Sequence, residues 1–436
     1  MRNDAAIPSL GYAPPEPRSI EETGLTQAFL NGLTLKHLYA EGLDSGLQVS
    51  RAIRLPWGGV MEHVFDFLAQ EQLVELRGGK GFGRASVTFS LTAKGREAAR
   101  EATARSGYTG PAPVPIGQYA AQIVAQSTEP SRVDRQALEN ATSHLVFDTE
   151  LLDSIGPAMA SARALFLFGE PGNGKTALAE ALSQSLGGAV AVPYAVEVDG
   201  QVIVVFDHAW HIPLEQLAGD DAGRAAGIDE RWVICRRPFL VVGGELTLDM
   251  LDLAHNPLSN VYEAPCHVKA NGGMLLVDDF GRQRATAREM LNRWIIPLEK
   301  HVDLLSLQTG RKFEIPMEEI VVFSTNLDPQ ALVDDAFLRR IKYKVNLGDP
   351  TPEAFREIFR RLCEVQGIQY GEQAIDWLIE HEYRPHGRPL RACHPRDLLQ
   401  IVSDIASFKG IQPALTPALL DHACELYFAA TRPDSG

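Results

Sequence analysis

Cysteine is scarce in this 436-residue chain: five residues, at 235, 266, 363, 393 and 424, with no C-x-x-C spacing. An odd, dispersed set excludes a disulfide framework or a zinc ribbon and reads as reduced thiols, so a cytoplasmic location is expected. Long apolar runs are also missing. None approaches the roughly 18–20 residues that span a bilayer, and no membrane insertion is expected. The first residues hold no apolar stretch of signal-peptide length, which argues against export. Basic charge is in deficit, with 41 Lys and Arg against 56 Asp and Glu and a net charge of −15. That balance excludes a chain that coats nucleic acid or anionic membrane through its overall field, although a local basic patch can still do so. Apolar residues are plentiful at 45%, too many for a disordered or fibrous protein. At roughly 150 residues per domain, the length gives two or three domains, each large enough for its own core.

Residues 1–20 are polar and proline-rich (Pro8, Pro14, Pro15, Pro17) and are expected to form an extended tail. Residues 21–105 change character. Helical patterns run around Leu35 and Leu38, through Val49 and Ile53, and through Val60, Val64, Phe67 and Leu68, the last with the i, i+4, i+7, i+8 spacing of one helix face. Two short strand patterns then flank a glycine-rich tip, and a fourth helical pattern follows. This order resembles a winged helix. A second proline-rich stretch, 106–125, is expected to be a linker. From 126 to 347 the pattern is α/β, with apolar strands at 164–168, 273–277 and 320–323 and helices between them, which predicts a parallel sheet. Residues 190–265 interrupt it and are expected to be an insertion. The strands stop after 341–345. Residues 348–430 then predict a helical lid of three helices, each with a proline in its first turn (Pro352, Pro395, Pro417).

The chemistry concentrates at strand ends. Gly169, Glu170, Pro171, Gly172, Asn173, Gly174, Lys175 and Thr176 match G-x-x-x-x-G-K-[ST], and Ala177 opens the helix behind them. Glycines let the backbone wrap a phosphate with inward N–H groups at a helix N-terminus. Lys175 can reach the outer phosphates, and the Thr176 hydroxyl can bind Mg2+. About a hundred residues on, strand 274–277 ends in Asp278 and Asp279. Carboxylates at the carboxyl end of a buried strand lie where α/β sheets place ligand chemistry. Asp278 is the candidate partner of Mg2+ through water, and Asp279 the residue that orients or deprotonates an attacking water. Strand 320–323 ends in Ser324, Thr325 and Asn326, which alone reads as an ordinary polar strand end. Arg339 and Arg340, and Arg396 at a helix start, are surface arginines unless something recruits them. An arginine supplied to a neighbour's γ-phosphate is one such use.

In this order, these residues resemble an AAA+ ATPase of the bacterial chaperone-like, MoxR-like type. The likeness covers roughly residues 130–430, with GEPGNGKT as Walker A, MLLVDD as Walker B, STN as sensor 1, DDAFLRRI as the finger segment and HPRDLL as sensor 2. It implies ATP and Mg2+ as ligands and hydrolysis of ATP. Asn326 would position water, Arg339 or Arg340 would act on a neighbouring subunit's site, and Arg396 would sense nucleotide from the lid. A finger acting in trans implies a homo-oligomeric ring, most often a hexamer. One position departs from the family: Asp279 stands where a glutamate is usual, one methylene shorter, so turnover can be slow. Hydrolysis is still expected, since the rest of the site is complete and a pure binding switch needs no finger.

Three further features stay open. Tyr262 is either a channel-facing aromatic or, the favoured reading, a packed tyrosine. Asp207, His208 and His211 are either a metal pair or, as favoured, polar loop residues. The third helix of the N-terminal module is acidic (Glu62, Asp66, Glu71, Glu75), while residues 77–105 carry seven Lys and Arg against Glu97 and Glu101. Repulsion between that helix and phosphate favours docking on a protein client over DNA binding through the wing. A DNA-associated regulator and a nucleotide-gated scaffold with little turnover are the alternatives to a client-remodelling ATPase.

Overall fold

The computed structural model describes residues 13–79, 87–128, 133–162, 164–214, 227–332 and 339–428. The chain divides into two compact units, one formed by Met1–Arg132, Leu186–Leu275 and Gln283–Val321, the other by Val133–Ser185, Leu276–Arg282 and Val322–Gly436.

In the first unit, the N-terminal helices form where caps and apolar spacing agree. Thr26 caps helix Gln27–Ala40 by accepting from Phe29 N at 3.2 Å, and Ser45 with Gln48 forms a capping box for Gly46–Ile53. The third helix, Glu62–Gln70, is entered through a wide turn at Trp57–Met61. That turn needs Gly59: its φ is 76°, and a Cβ there would lie 2.2 Å from the Arg18 carbonyl oxygen. Val60, Val64 and Leu68 are buried as their spacing predicts, whereas Phe67 is half exposed. Strands Val74–Gly79 and Val87–Leu91 pair antiparallel, and helix Ala93–Arg105 follows. The tip residues Lys80 and Arg84 lie outside the described residues.

The expected linker is not a spacer. Val114–Pro115 is an edge strand paired parallel to Ala195–Val198, Ala112 and Val114 are fully buried, and Ile116–Thr128 is a helix that buries Tyr119 and Ile123. Proline is tolerated at a sheet edge because its missing N–H faces no neighbour, so a proline-rich sequence can still be structure. Part of the expected tail is likewise ordered, with Glu16 N donating to Gly227 O at 3.0 Å and Asp229 N to Pro14 O at 2.8 Å.

Of the expected insertion, Phe239–Val242 belongs to the core sheet, so 190–265 is not an insertion throughout. Strands Ala254–Asn256, Val261–Glu263, Gln201–Val204 and Ala195–Val198 form in that order a sheet closed by Val114–Pro115, and Ala189–Pro193 pairs antiparallel with Trp232–Arg236. Arg231 joins these parts. Only 1% exposed, its guanidinium pairs with Asp229 at 2.8 Å and donates to Thr23 O at 2.9 Å, Pro113 O at 3.3 Å and Gln118 Oε1 at 3.2 Å. The Tyr262 ring is buried, and its hydroxyl accepts from Gln308 N at 3.0 Å; it is a packing residue. His211 accepts from Asp207 N through Nδ1 at 2.9 Å, and its Nε2 lies 2.8 Å from Lys269 O. Lys269 in turn pairs with Asp207 and Glu263. The polar-loop reading therefore accounts for them.

A five-stranded parallel sheet carries the chemistry, in the order Tyr343–Asn346, Leu165–Phe168, Ile320–Thr325, Met274–Val277, Phe239–Val242. Strands Leu165–Phe168, Ile320–Thr325, Met274–Val277 and Phe239–Val242 are largely apolar runs, as strands covered on both faces require, while the edge strand Tyr343–Asn346 exposes Lys344 and Asn346. In the second unit the C-terminal region contains Pro352–Gln366, Glu372–Leu378, His394–Lys409 and Pro417–Tyr427. The three proline-started helices are where the sequence predicts them, and the short helix Glu372–Leu378, which lacks a side-chain cap, is additional.

Glu319, in the first unit, is a buried acid whose carboxylate oxygens have no hydrogen-bond partner among the described residues. Burial pushes its carboxyl up to about 8, and the nearby Asp303 and Glu318 carboxylates add to the rise. An acid raised in the folded state binds its proton more tightly folded than unfolded, so stability falls as pH climbs from about 4.5 to about 8. Glu319→Gln is expected to remove that slope, so that the variant gains on the wild type steadily across this window in urea melts at pH 5, 6.5 and 8.

Candidate functional site

The second unit holds every part of the phosphate-binding motif. Strand Leu165–Phe168 is buried between parallel neighbours on both sides, with Phe168 level with Thr325 on one and with Asn346 on the other. The chain then turns through Gly169, Gly172 and Gly174, at φ of 138°, 85° and 86°, into helix Lys175–Ser185. These angles are closed to most side chains. A Cβ on Gly169 would lie 2.3 Å from Leu347 O, and one on Gly172 2.5 Å from Cys393 Sγ. Lys175 folds back into this loop, donating to Gly169 O at 2.8 Å and Glu170 O at 3.0 Å. Burial lowers its pKa from the ordinary lysine value, against the pull of Asp278, Asp279 and Glu170. An ammonium that donates to two backbone carbonyls at the mouth of the loop is a ready partner for an anion.

Two strand ends supply the acids and the amide. Thr176 Oγ1 donates to Asp278 Oδ2 at 2.7 Å, Asp278 Oδ1 accepts from Asp279 N at 3.0 Å, and Asn326 Nδ2 donates to Asp279 Oδ1 at 3.1 Å. Thr176, Asp278, Asp279 and Asn326 all line a cleft of about 570 Å³, together with residues 171–177 of the loop and Arg396. Asp279 has φ 48°. Aspartate adopts that left-handed conformation more readily than longer side chains, because its short carboxyl bonds locally. The hydroxyl–carboxylate pair Thr176–Asp278 is an all-oxygen donor set of the kind Mg2+ takes.

Arg396 lines the cleft from the C-terminal helices, with its side chain largely exposed and paired to Asp397 at 3.0 Å. Arg339 is exposed, Arg340 half-buried, and neither lines this cleft.

Sequence reasoning missed the rest of the wall. His144, Leu145, Val146 and Phe147 line the cleft together with Ile358, Leu362 and Val365, a largely apolar stretch whose sequence signal is a short hydrophobic run. Arg361 holds that segment through the carbonyls of Ser143 at 2.6 Å and Leu145 at 3.0 Å. Arg391 also went unnoticed, although it stands five residues before Arg396. It donates to Glu170 Oε2 at 3.0 Å and pairs with Asp349.

The α/β sheet with its phosphate-binding loop and helical C-terminal region agrees with the AAA+ resemblance. A family model described as "Domain of unknown function (DUF8689)" matches residues 351–426, the helices after the sheet. No curated protein matches the chain. Among solved structures, NtrX from Brucella abortus in complex with ADP is similar at 15% identity and a TM-score of 0.41. That match covers 68% of this chain and 59% of the NtrX chain, so this chain spans less than two thirds of it. A mutant of Thermotoga maritima RuvB is similar at 13% identity and a TM-score of 0.38, over 65% of this chain and 70% of that one.

The loop geometry has a direct consequence. Gly172→Ala combines a positive φ with a Cβ 2.5 Å from Cys393 Sγ, and is expected to cost about 1–2 kcal/mol or more. Gly348→Ala, where nothing lies within 4 Å of the added Cβ, is expected to stay within about 0.5 kcal/mol. Thermal unfolding of the two variants beside the wild type checks the contrast.

Proposed function

We propose that this chain binds ATP with Mg2+ and hydrolyses it. The observation that carries the reading is the convergence on one cleft of the Thr176–Asp278 and Asn326–Asp279 hydrogen bonds beside the loop that holds Lys175. The backbone N–H groups of the loop and Lys175 bind the phosphates. Thr176, and Asp278 through water, would hold Mg2+, which when bound neutralises charge on the β- and γ-phosphoryl oxygens. Asn326 fixes the Asp279 carboxylate. Asp279 then orients a water toward the γ-phosphorus and accepts its proton as the bond to the bridging oxygen breaks, giving ADP and phosphate. Residues 144–147 with Ile358, Leu362 and Val365 provide an apolar wall for the base.

Arg339 and Arg340 are absent from their own chain's cleft, which supports their use on a neighbouring subunit and therefore a homo-oligomeric ring, a hexamer by family resemblance. The N-terminal module, winged-helix-like in its element order, is proposed to recruit a protein client for remodelling. Three of its basic residues, among those described, are engaged locally. Lys94 donates to Glu71 O at 2.8 Å, Arg96 to Leu91 O at 2.9 Å and Arg100 to the Tyr39 hydroxyl at 3.1 Å. Groups already bonded to protein are poor phosphate contacts, which favours protein docking over DNA. Binding of the full chain to duplex DNA across a salt series separates the two, since a steep loss with salt would instead favour a DNA-associated regulator.

Steady-state ATPase assays with parallel nucleotide-binding measurements test the site. Lys175→Ala is expected to weaken ATP binding, Asp279→Asn to keep binding and stop turnover, and Asn326→Ala to lower kcat by about 10–100-fold with affinity little changed. Undetectable turnover by the wild-type oligomer with ATP bound would leave a nucleotide-gated scaffold instead.

A further inference from the structure

We propose that Arg391 is a positioning residue that latches the C-terminal helices onto the phosphate loop and so governs nucleotide exchange, an inference that rests on the cleft being the ATP site. The latch is a closed network within the second unit. The Arg391 guanidinium, largely buried, reaches the loop through Glu170 Oε2 at 3.0 Å and also pairs with Asp349. Asp349 follows strand Tyr343–Asn346 and precedes helix Pro352–Gln366, so it sits where the sheet hands over to the helices. Its Oδ1 also accepts from Asn173 Nδ2 of the loop at 2.8 Å. Asn173 Oδ1 accepts from Ala392 N at 3.3 Å, and Gly172 O accepts from Cys393 N at 2.8 Å. Three consecutive residues, 391–393, are thus bound to Glu170, Gly172 and Asn173 of the loop and to Asp349, and they lead directly into the helix carrying Arg396.

The geometry explains why one arginine matters. The cleft is lined both by loop residues 171–177 and by Ile358, Leu362, Ala392, Cys393 and Arg396 from the C-terminal helical region, so the hold of the helices on the loop bears on how a nucleotide enters and leaves. The backbone bonds of residues 392 and 393 are single and neutral. Arg391 adds two charge-assisted contacts in a forked geometry that a lysine cannot reproduce. Because it joins loop to helices rather than to the ligand, its loss opens the cleft in both directions.

The test is stopped-flow binding and release of a fluorescent N-methylanthraniloyl-ADP by the full chain. Arg391→Ala is expected to speed association and release together by about tenfold, the loss of roughly one net charge-assisted contact, with equilibrium affinity within about threefold. Arg391→Lys falls between it and the wild type. Asp349→Asn speeds exchange too, and the double variant with Arg391→Ala goes no faster than Arg391→Ala alone. Unchanged rates, or faster release without faster association, would overturn the proposal, the latter because it would make Arg391 a ligand contact. Lys175→Ala separates the two readings. If it fails to bind the probe while Arg391→Ala behaves as wild type, the latch is wrong and the site stands. If it binds the probe as the wild type does, the site assignment itself is wrong.

Discussion

The cleft depends on one constraint, the parallel pairing of strand Leu165–Phe168 with a neighbour on each side. The register sets Phe168 level with Thr325 and with Asn346, so the phosphate loop, Asn326 and Asp349 leave the sheet at one edge. Beneath that edge three phenylalanines pack together, Phe166 and Phe323 with centroids 6.1 Å apart and Phe280 edge-on to Phe323 at 5.2 Å. Phe280 immediately follows the acid pair. Its backbone N–H donates to Ser324 O at 2.7 Å, and its carbonyl accepts from Thr325 Oγ1 at 2.8 Å. An aromatic cluster of this kind resists deformation because protein interiors are close-packed. The same contacts that fill the core therefore hold Asp278 and Asp279 in place.

The left-handed backbone at Asp279 gives a physical reading to the departure from the glutamate usual in the AAA+ ATPases that the sequence resembles. The turn after strand Met274–Val277 brings Asp279 to φ 48° while Asp278 accepts its N–H, and aspartate tolerates that conformation better than glutamate does. The side chain then lies within 3.1 Å of the Asn326 amide. Backbone geometry and side-chain length are thus matched to each other, and the reach lost with one methylene is partly a question of where the turn puts the Cα. The acid is positioned by the fold as much as chosen for its length.

Much of this site is legible in the sequence. Lys175, Thr176, Asp278, Asp279, Asn326 and Arg396 line one cleft; the first four could be picked out from residue type and spacing, whereas Asn326 and Arg396 were marked only by the AAA+ resemblance. The apolar wall at 144–147 and the Arg361 and Arg391 contacts were not legible. Their roles depend on long-range partners, Arg391 with Glu170 across 221 residues and Arg361 with Ser143 across 218, and nothing local marks an arginine for such a bond. The proline-rich stretch at 106–125 failed differently. Composition suggested a spacer, yet burial of Ala112, Val114 and Tyr119 outweighed it, as tertiary contacts override local propensity.

That last difference changes how the N-terminal module can act. Had 106–125 been an extended tether, a client bound at the N-terminus could be sampled independently of the rest of the first unit. Instead, Arg231 gathers carbonyls from residues 23 and 113 and the Gln118 amide around a guanidinium that is only 1% exposed. Ala112 N also donates to Ile53 O at 2.7 Å. A buried guanidinium left without its partners is costly, so Arg231 resists separation of these segments. The net acidity of the chain, far from excluding partners, sits outside residues 20–110, where ten basic residues balance ten acidic ones. A module of balanced charge tied through Arg231 to the rest of the first unit is held by its contacts rather than hung on a flexible leash.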